Sequence, residues 1–172
     1  LCRPGSVEGA VEIPPGTGFV GINSMVRHSV GGNEYGGVRV GAFMGRRMIN
    51  AMRETSGQPP IEHLTEVTPD EWNRLYRDAL PETLTGAEFL ERHDSHEDPV
   101  TTINSGATYL IQGPTEHAIL ENDRVLRFMD ALRRASKGDA QGLIDAGERM
   151  YEAHASYRDN CQLSGPKVDA LG

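Results

Sequence analysis

An α+β fold is what this sequence predicts, on three observations. Short apolar runs bounded by proline and glycine occur at 11–13 and 19–22, and a β-branched and aromatic run occurs at 108–112. Apolar residues at helical spacing mark 38–53 and the stretch after Pro69. The end of the chain carries two long amphipathic patterns.

Taken in order, 11–13 and 19–22 read as two strands joined through Pro14-Pro15-Gly16, a turn-forming triplet. Val40, Phe43, Met44, Ile49 and Met52 share one helical face over 38–53, and Met44, Met48 and Met52 repeat every fourth residue, which reads as adaptable core packing. Thr55-Ser56-Gly57-Gln58-Pro59-Pro60 breaks the pattern and marks a linker or lobe boundary, dividing 1–56 from 57–172. Pro69-Asp70-Glu71 opens a helix carrying Trp72, Leu75, Tyr76 and Leu80, with proline and acids where a first turn favours them. Thr85 and Glu88 form a capping box, which places a short helix with Phe89 and Leu90 buried. The tail helices carry Val125, Phe128, Met129 and Leu132 on one, and Leu143, Ala146, Met150, Ala153 and Tyr157 on the other.

With 172 residues, 37% hydrophobic and 24% charged, the chain has the makings of one soluble globular domain or parts of two. No apolar run reaches the roughly 20 residues that span a bilayer, and no signal-peptide order opens the chain, so a cytoplasmic protein with no membrane partner is expected. Cys2 and Cys161 lack zinc or redox spacing and read as free thiols. The net charge of −8 is uneven: 61–100 holds three Arg against eleven acids, whereas 1–60 holds six Arg against four. No basic stripe is present to neutralise phosphates along a nucleic acid, which excludes that class of partner.

The most chemically loaded stretch is 21–40, where an apolar run enters a polar, glycine-punctuated loop and then a helix. Glycines let a backbone approach a ligand, and Asn23, Ser24, Arg27, His28, Ser29 and Tyr35 supply amide, hydroxyl, guanidinium, imidazole and phenol groups. A polyhydroxylated or phosphorylated ligand uses such groups. A solvated connection between strand and helix is the plainer alternative.

The sequence resembles the sugar-1-kinases of the GHMP superfamily, the galactokinases and the plant-type L-arabinokinases. The residues that carry the resemblance are Leu1-Cys2-Arg3-Pro4, Val11-Glu12-Ile13-Pro14, Asn23-Ser24, Val26 through Gly32, Glu34-Tyr35-Gly36 and Val38 through Arg46. It continues through Leu80-Pro81-Glu82, Thr85-Gly86, Phe89-Leu90, His117, Glu121-Asn122, Arg124-Val125, Met150-Tyr151, His154, Ser156-Tyr157 and Ser164-Gly165. The resemblance implies a two-lobed kinase that moves the γ-phosphate of ATP, with Mg²⁺, to the anomeric hydroxyl of a monosaccharide such as L-arabinose or D-galactose. Residues 1–56 would close the N-terminal lobe and 57–172 would form most of a ferredoxin-like C-terminal lobe. It assigns Tyr35 to the sugar, and Asn23, Ser24, Arg27 and His28 to the loop or the lining of the active site.

In that superfamily the Ser-rich phosphate loop, the base aspartate and the sugar motif precede the region matched here, and a glycine-rich motif follows it. No catalytic residue is therefore expected among these 172, and a fragment inactive by itself and inclined to associate through exposed apolar surface is expected. The chain starts at Leu1 and ends inside a helical pattern, as a piece of a longer protein would. A sugar-sensing, non-catalytic member of the same superfamily is the alternative.

Among the other polar residues, His93-Asp94-Ser95-His96-Glu97-Asp98 reads as a solvated acidic loop and not a metal centre, since no second ligand pair lies nearby in sequence. His117, Glu121 and Arg124 are spaced for intrahelical pairs, and His154 falls beside a buried stripe as a packing histidine.

Overall fold

The first helix starts earlier than its apolar face. In the computed structural model, which describes residues 9–25 and 33–170, α1 runs Asn33–Thr55 and thus takes in Tyr35, which the sequence pattern places in the preceding loop. Gly36 and Gly37 each cost a helix about 1 kcal/mol against alanine, so the early turns depend on the packing of the face they continue. That face buries Val40, Met44 and Ile49, with Met48 and Met52 against the same core.

The chain then turns at Gly57, whose φ of 72° suits glycine, and returns along α1. The Asn50 amide takes both the N–H and the C=O of Ile61, at 2.8 and 3.0 Å. Arg53 donates to Pro59 O at 2.8 Å and Arg46 to Glu62 O at 2.6 Å. A 3₁₀ turn at Leu64–Glu66 follows.

Helix α2, Pro69–Glu71, is capped by Thr68 and widens into a π turn over Trp72–Tyr76 before ending in a 3₁₀ turn at Arg77–Ala79. The sequence predicts a helix carrying Trp72, Leu75 and Tyr76 together. The wider turn keeps Trp72 and Tyr76 buried and swings Leu75 out to the surface. Polar groups hold it: Trp72 Nε1 donates to Glu116 at 2.9 Å, and the Tyr76 hydroxyl to Glu71 at 3.0 Å. Arg53 also donates to Glu71, at 2.6 Å.

Strands β1, Thr83–Thr85, and β2, Thr108–Leu110, pair antiparallel with Leu84 opposite Tyr109. Thr85 then caps α3, Gly86–Arg92, through the predicted reciprocal box with Glu88, at 3.2 and 3.0 Å. Phe89 is fully buried. Leu90 is exposed, against expectation, because a helix of two turns offers only one face to the core. The later strand ends at Leu110, and Gln112 already opens α4, Gln112–Ser136.

Helix α5, Ala140–Asp159, packs back on α4 after a turn at Gly138, and a short α6, Pro166–Asp169, follows. Of the apolar stripe predicted for α5 only Ala146 is buried, and Leu143, Met150 and Tyr157 stay exposed. The two helices meet through small side chains, Ala131 and Ala146, with Leu132 beside them.

Residues 11–13 and 19–22 form no strand, since no neighbouring strand among the described residues supplies a hydrogen-bonding ladder. They run irregularly over α4, where Val11 joins the small core of Ala131 and Leu132, Phe19 meets Phe128 at 6.4 Å, and Glu12 O accepts from Ser136 Oγ at 3.4 Å. Ile13, Val20 and Ile22 face solvent.

The main core lies between α1, the π turn, the sheet, α3 and the first half of α4, around Trp72, Phe89, Met44, Ile111 and Ile119. Two glycines set its tightest contact. A Cβ at Gly41 would fall 1.9 Å from the Leu110 carbonyl oxygen, and one at Gly45 would fall 1.9 Å from Thr115 Oγ1. No helix among the described residues is long and apolar enough to cross a membrane.

Candidate functional site

Tyr35 stands on the first turn of α1 with its ring exposed, and its phenol makes no hydrogen bond among the described residues. On the far side of the undescribed stretch 26–32, Asn23 Oδ1 accepts from the Met25 N–H at 2.8 Å, closing a small turn in which Met25 takes a left-handed φ of 58°. Ser24 is half-buried within that turn. Arg27 and His28, assigned to the same site by sequence, lie outside the described residues.

One turn beyond Tyr35, Arg39 makes a two-point fork on Asp98, with Nε to Oδ2 and Nη2 to Oδ1 both at 2.7 Å. The Asp98 side chain is wholly buried. It also accepts from Thr101 Oγ1 at 2.5 Å and from the Val100 N–H at 3.2 Å. The Arg39 hydrogen bonds, with those of Thr101 and Val100, hold the Asp98 carboxyl well below the usual carboxylate range against the opposing effect of burial. Phe43 lies between two cations, with the guanidinium carbons of Arg39 and Arg46 each 4.9 Å from its ring centre.

The loop that supplies Asp98 was expected to be solvated, and it is docked instead. His96 is buried, with Nε2 3.0 Å from Thr101 Oγ1 and its ring at the edge of Phe43. Burial pushes the His96 pKa down, and Arg46 and Arg39 push it the same way against Asp98. His93 goes elsewhere and packs at a tilt on Phe89 with ring centres 4.8 Å apart. Among the described residues no three His, Cys, Asp or Glu converge as metal ligands would.

Further along, the His117–Glu121–Arg124 reading holds for one pair only. Arg124 bonds Glu121 at 2.6 Å, while His117 Nδ1 reaches across to Ser156 Oγ on α5 at 3.0 Å. His154 Nε2 sits 3.2 Å from Asp169 Oδ1 but out of line for a hydrogen bond. A depression of about 440 Å³ between α4 and α5 shares no residue with the Tyr35 turn. Its three arginines are each paired with described acids, Arg127 with Asp123, Arg134 with Asp139 and Asp145, and Arg149 with Glu148 and Glu152.

Compared with known proteins, the chain is 36% identical to the L-arabinokinase of Arabidopsis thaliana over 196 aligned positions, covering 99% of this chain. The chain is a galactokinase/L-arabinokinase-like sequence. It spans 19% of the length of that curated relative. No family model matches it, and no solved structure matches it. For this galactokinase/L-arabinokinase-like chain, sequence reasoning picked out the Tyr35 turn and missed its neighbour, the Arg39–Asp98 fork. The available signal was the placing of Arg39, Phe43 and Arg46 at intervals of four and three, which lines two cations and an aromatic ring along one helical face.

Proposed function

We propose that this chain is part of an ATP-dependent sugar-1-kinase of the GHMP type, acting on the anomeric hydroxyl of L-arabinose or D-galactose. The observation that supports it is the 36% identity to an L-arabinokinase across 99% of the chain. In this reading residues 1–56 close the N-terminal lobe, residues 57–172 belong to the C-terminal lobe, and Tyr35 offers its phenol to a sugar hydroxyl. Asn23, Ser24, Arg27 and His28 line the same site or shape its loop. Arg39 is not a rival for the sugar, since the Asp98 fork occupies it.

The described residues do not fit a magnesium triphosphate. They hold no converging carboxylates, and the sequence has no Ser-rich glycine loop to wrap phosphate oxygens. ATP and Mg²⁺ would be held by other parts of the full polypeptide, and no step through them is derived at these residues. What this chain contributes is the orientation of the sugar, which raises rate by placing the attacking hydroxyl.

The test is a phosphorylation assay of the complete gene product on both sugars, beside calorimetric sugar binding. Replacing Tyr35 by Phe in that protein is expected to weaken sugar binding by about 1–3 kcal/mol, the range for losing one partner of a buried hydrogen bond, with ATP affinity unchanged. Unaltered sugar affinity would remove Tyr35 from the site. Sugar binding without turnover would replace the kinase by a sugar sensor.

A further inference from the structure

The first turn of a helix is its weakest, because its N–H groups have no partners one turn back. In α1 the two glycines that follow Tyr35 add backbone freedom there. Among the described residues of α1 the first buried position is Val40, so the described core does not hold this end. What fastens it is Arg39, which lies four residues after Tyr35 and so on the same face. Its guanidinium is gripped at two points by Asp98 and backed by the Phe43 ring.

Asp98 is itself a fixed point. Thr101 Oγ1 and the Val100 N–H hold its oxygens, His96 bonds Thr101, and the Asn104 N–H donates to the Tyr109 hydroxyl on β2 at 2.9 Å. Residues 93–107 contain no helix or strand, yet they are tied at several places to α1 and to the sheet. A segment of that length without its own secondary structure is ordered only by such ties.

We propose that Asp98 is a positioning residue for sugar binding: through its fork on Arg39 it fixes the first turns of α1 and so aims the Tyr35 phenol at the sugar. This role rests on Tyr35 being the sugar-binding residue. It differs from a general contribution to stability, because it acts on one ligand and through one side chain. Loosening the fork should therefore affect the sugar and leave the nucleotide alone.

The experiment compares Asp98→Asn, Tyr35→Phe and the double variant in the complete kinase. Asparagine keeps the shape and removes the charge that holds the fork. Asp98→Asn is expected to raise the sugar KM about tenfold, as misplacing a contact does, while the KM for ATP moves less than about twofold. The double variant should show the sugar KM of Tyr35→Phe alone, because the fork acts only through that phenol. If Asp98→Asn fails to fold, Arg39→Lys keeps the charge, loses the fork, and is read in the same way. A lower melting temperature with an unchanged sugar KM in both fork variants, while Tyr35→Phe raises it, overturns the positioning role alone. An unchanged sugar KM in Tyr35→Phe overturns the Tyr35 reading and the positioning role with it.

Discussion

Alanine at position 41 tests how closely α1 lies on the layer below it. The added methyl would stand 1.9 Å from the Leu110 carbonyl oxygen, whereas ordinary contact begins at 3.4 Å. The helix and β2 would have to part by about 1.5 Å, in an interior packed like an organic crystal. Leu110 is paired with Thr83 in the sheet, so its carbonyl has little room to turn away. Alanine gains about 1 kcal/mol over glycine by helix propensity, and overpacking costs about 1–3 kcal/mol, with rigid backbone at the upper end. The net expectation is a loss of about 2 kcal/mol. Gly147, in the middle of α5, has nothing within 4 Å of the same methyl. There alanine should gain about 1 kcal/mol, so the two substitutions differ by about 3 kcal/mol in opposite directions. Equilibrium urea unfolding with matched slopes measures both. If Gly41→Ala is as stable as Gly147→Ala, the close approach of α1 to β2 is wrong.

Two further outcomes concern titration. Burial first, and Arg124 second, push the His117 pKa below its ordinary value, with Glu121 opposing. A folded-state value below the unfolded one gives stability that is present above about pH 6.5 and lost as pH falls beneath it. His117→Gln, which ends the Ser156 contact as it stands, should lower stability at neutral pH by about 1 kcal/mol and flatten the pH dependence below about pH 6.5. An unchanged slope contradicts the buried imidazole. For Cys161, burial and Glu121 push the thiol up to about 11, so its contribution is intact below the unfolded value near 8.5 and is lost as pH rises through the folded one. In a Cys2→Ser variant a thiol reagent at pH 8 should label Cys161 only as fast as the protein opens, at a rate that climbs with urea, and rapid labelling of the native state contradicts its burial.

What the sequence made legible was local or periodic. The Thr85–Glu88 box needs only residues three apart, and the methionine face of α1 needs only a period, and both stand as read. The polar reach of Arg39 spans 59 positions, and the spacing of Arg39, Phe43 and Arg46 marks a helical face without naming its distant partner. Asp98 therefore looked like one more acid in a charged loop. The early apolar runs failed for the opposite reason: residues 11–13 and 19–22 have strand-like composition, but a strand is made by its neighbour, and here the neighbour is the side of a helix. Tyr35 reads from the sequence as a loop residue and lies on the first turn of α1, because Gly36 and Gly37 weaken the signal for the helix that includes it.

The π turn at Trp72–Tyr76 has a consequence for how this region varies between relatives. It is an α-helix holding one residue more than its turns require, so its irregularity lies in residue count and not in residue type. Removing one residue would restore regular geometry while rotating Tyr76 away from Glu71 and Arg53. Substitutions between 72 and 76 should therefore be accepted at the outward positions, such as Leu75. Single-residue deletions should be rejected, and where one has occurred, the partners at 53, 71 and 76 should have changed together.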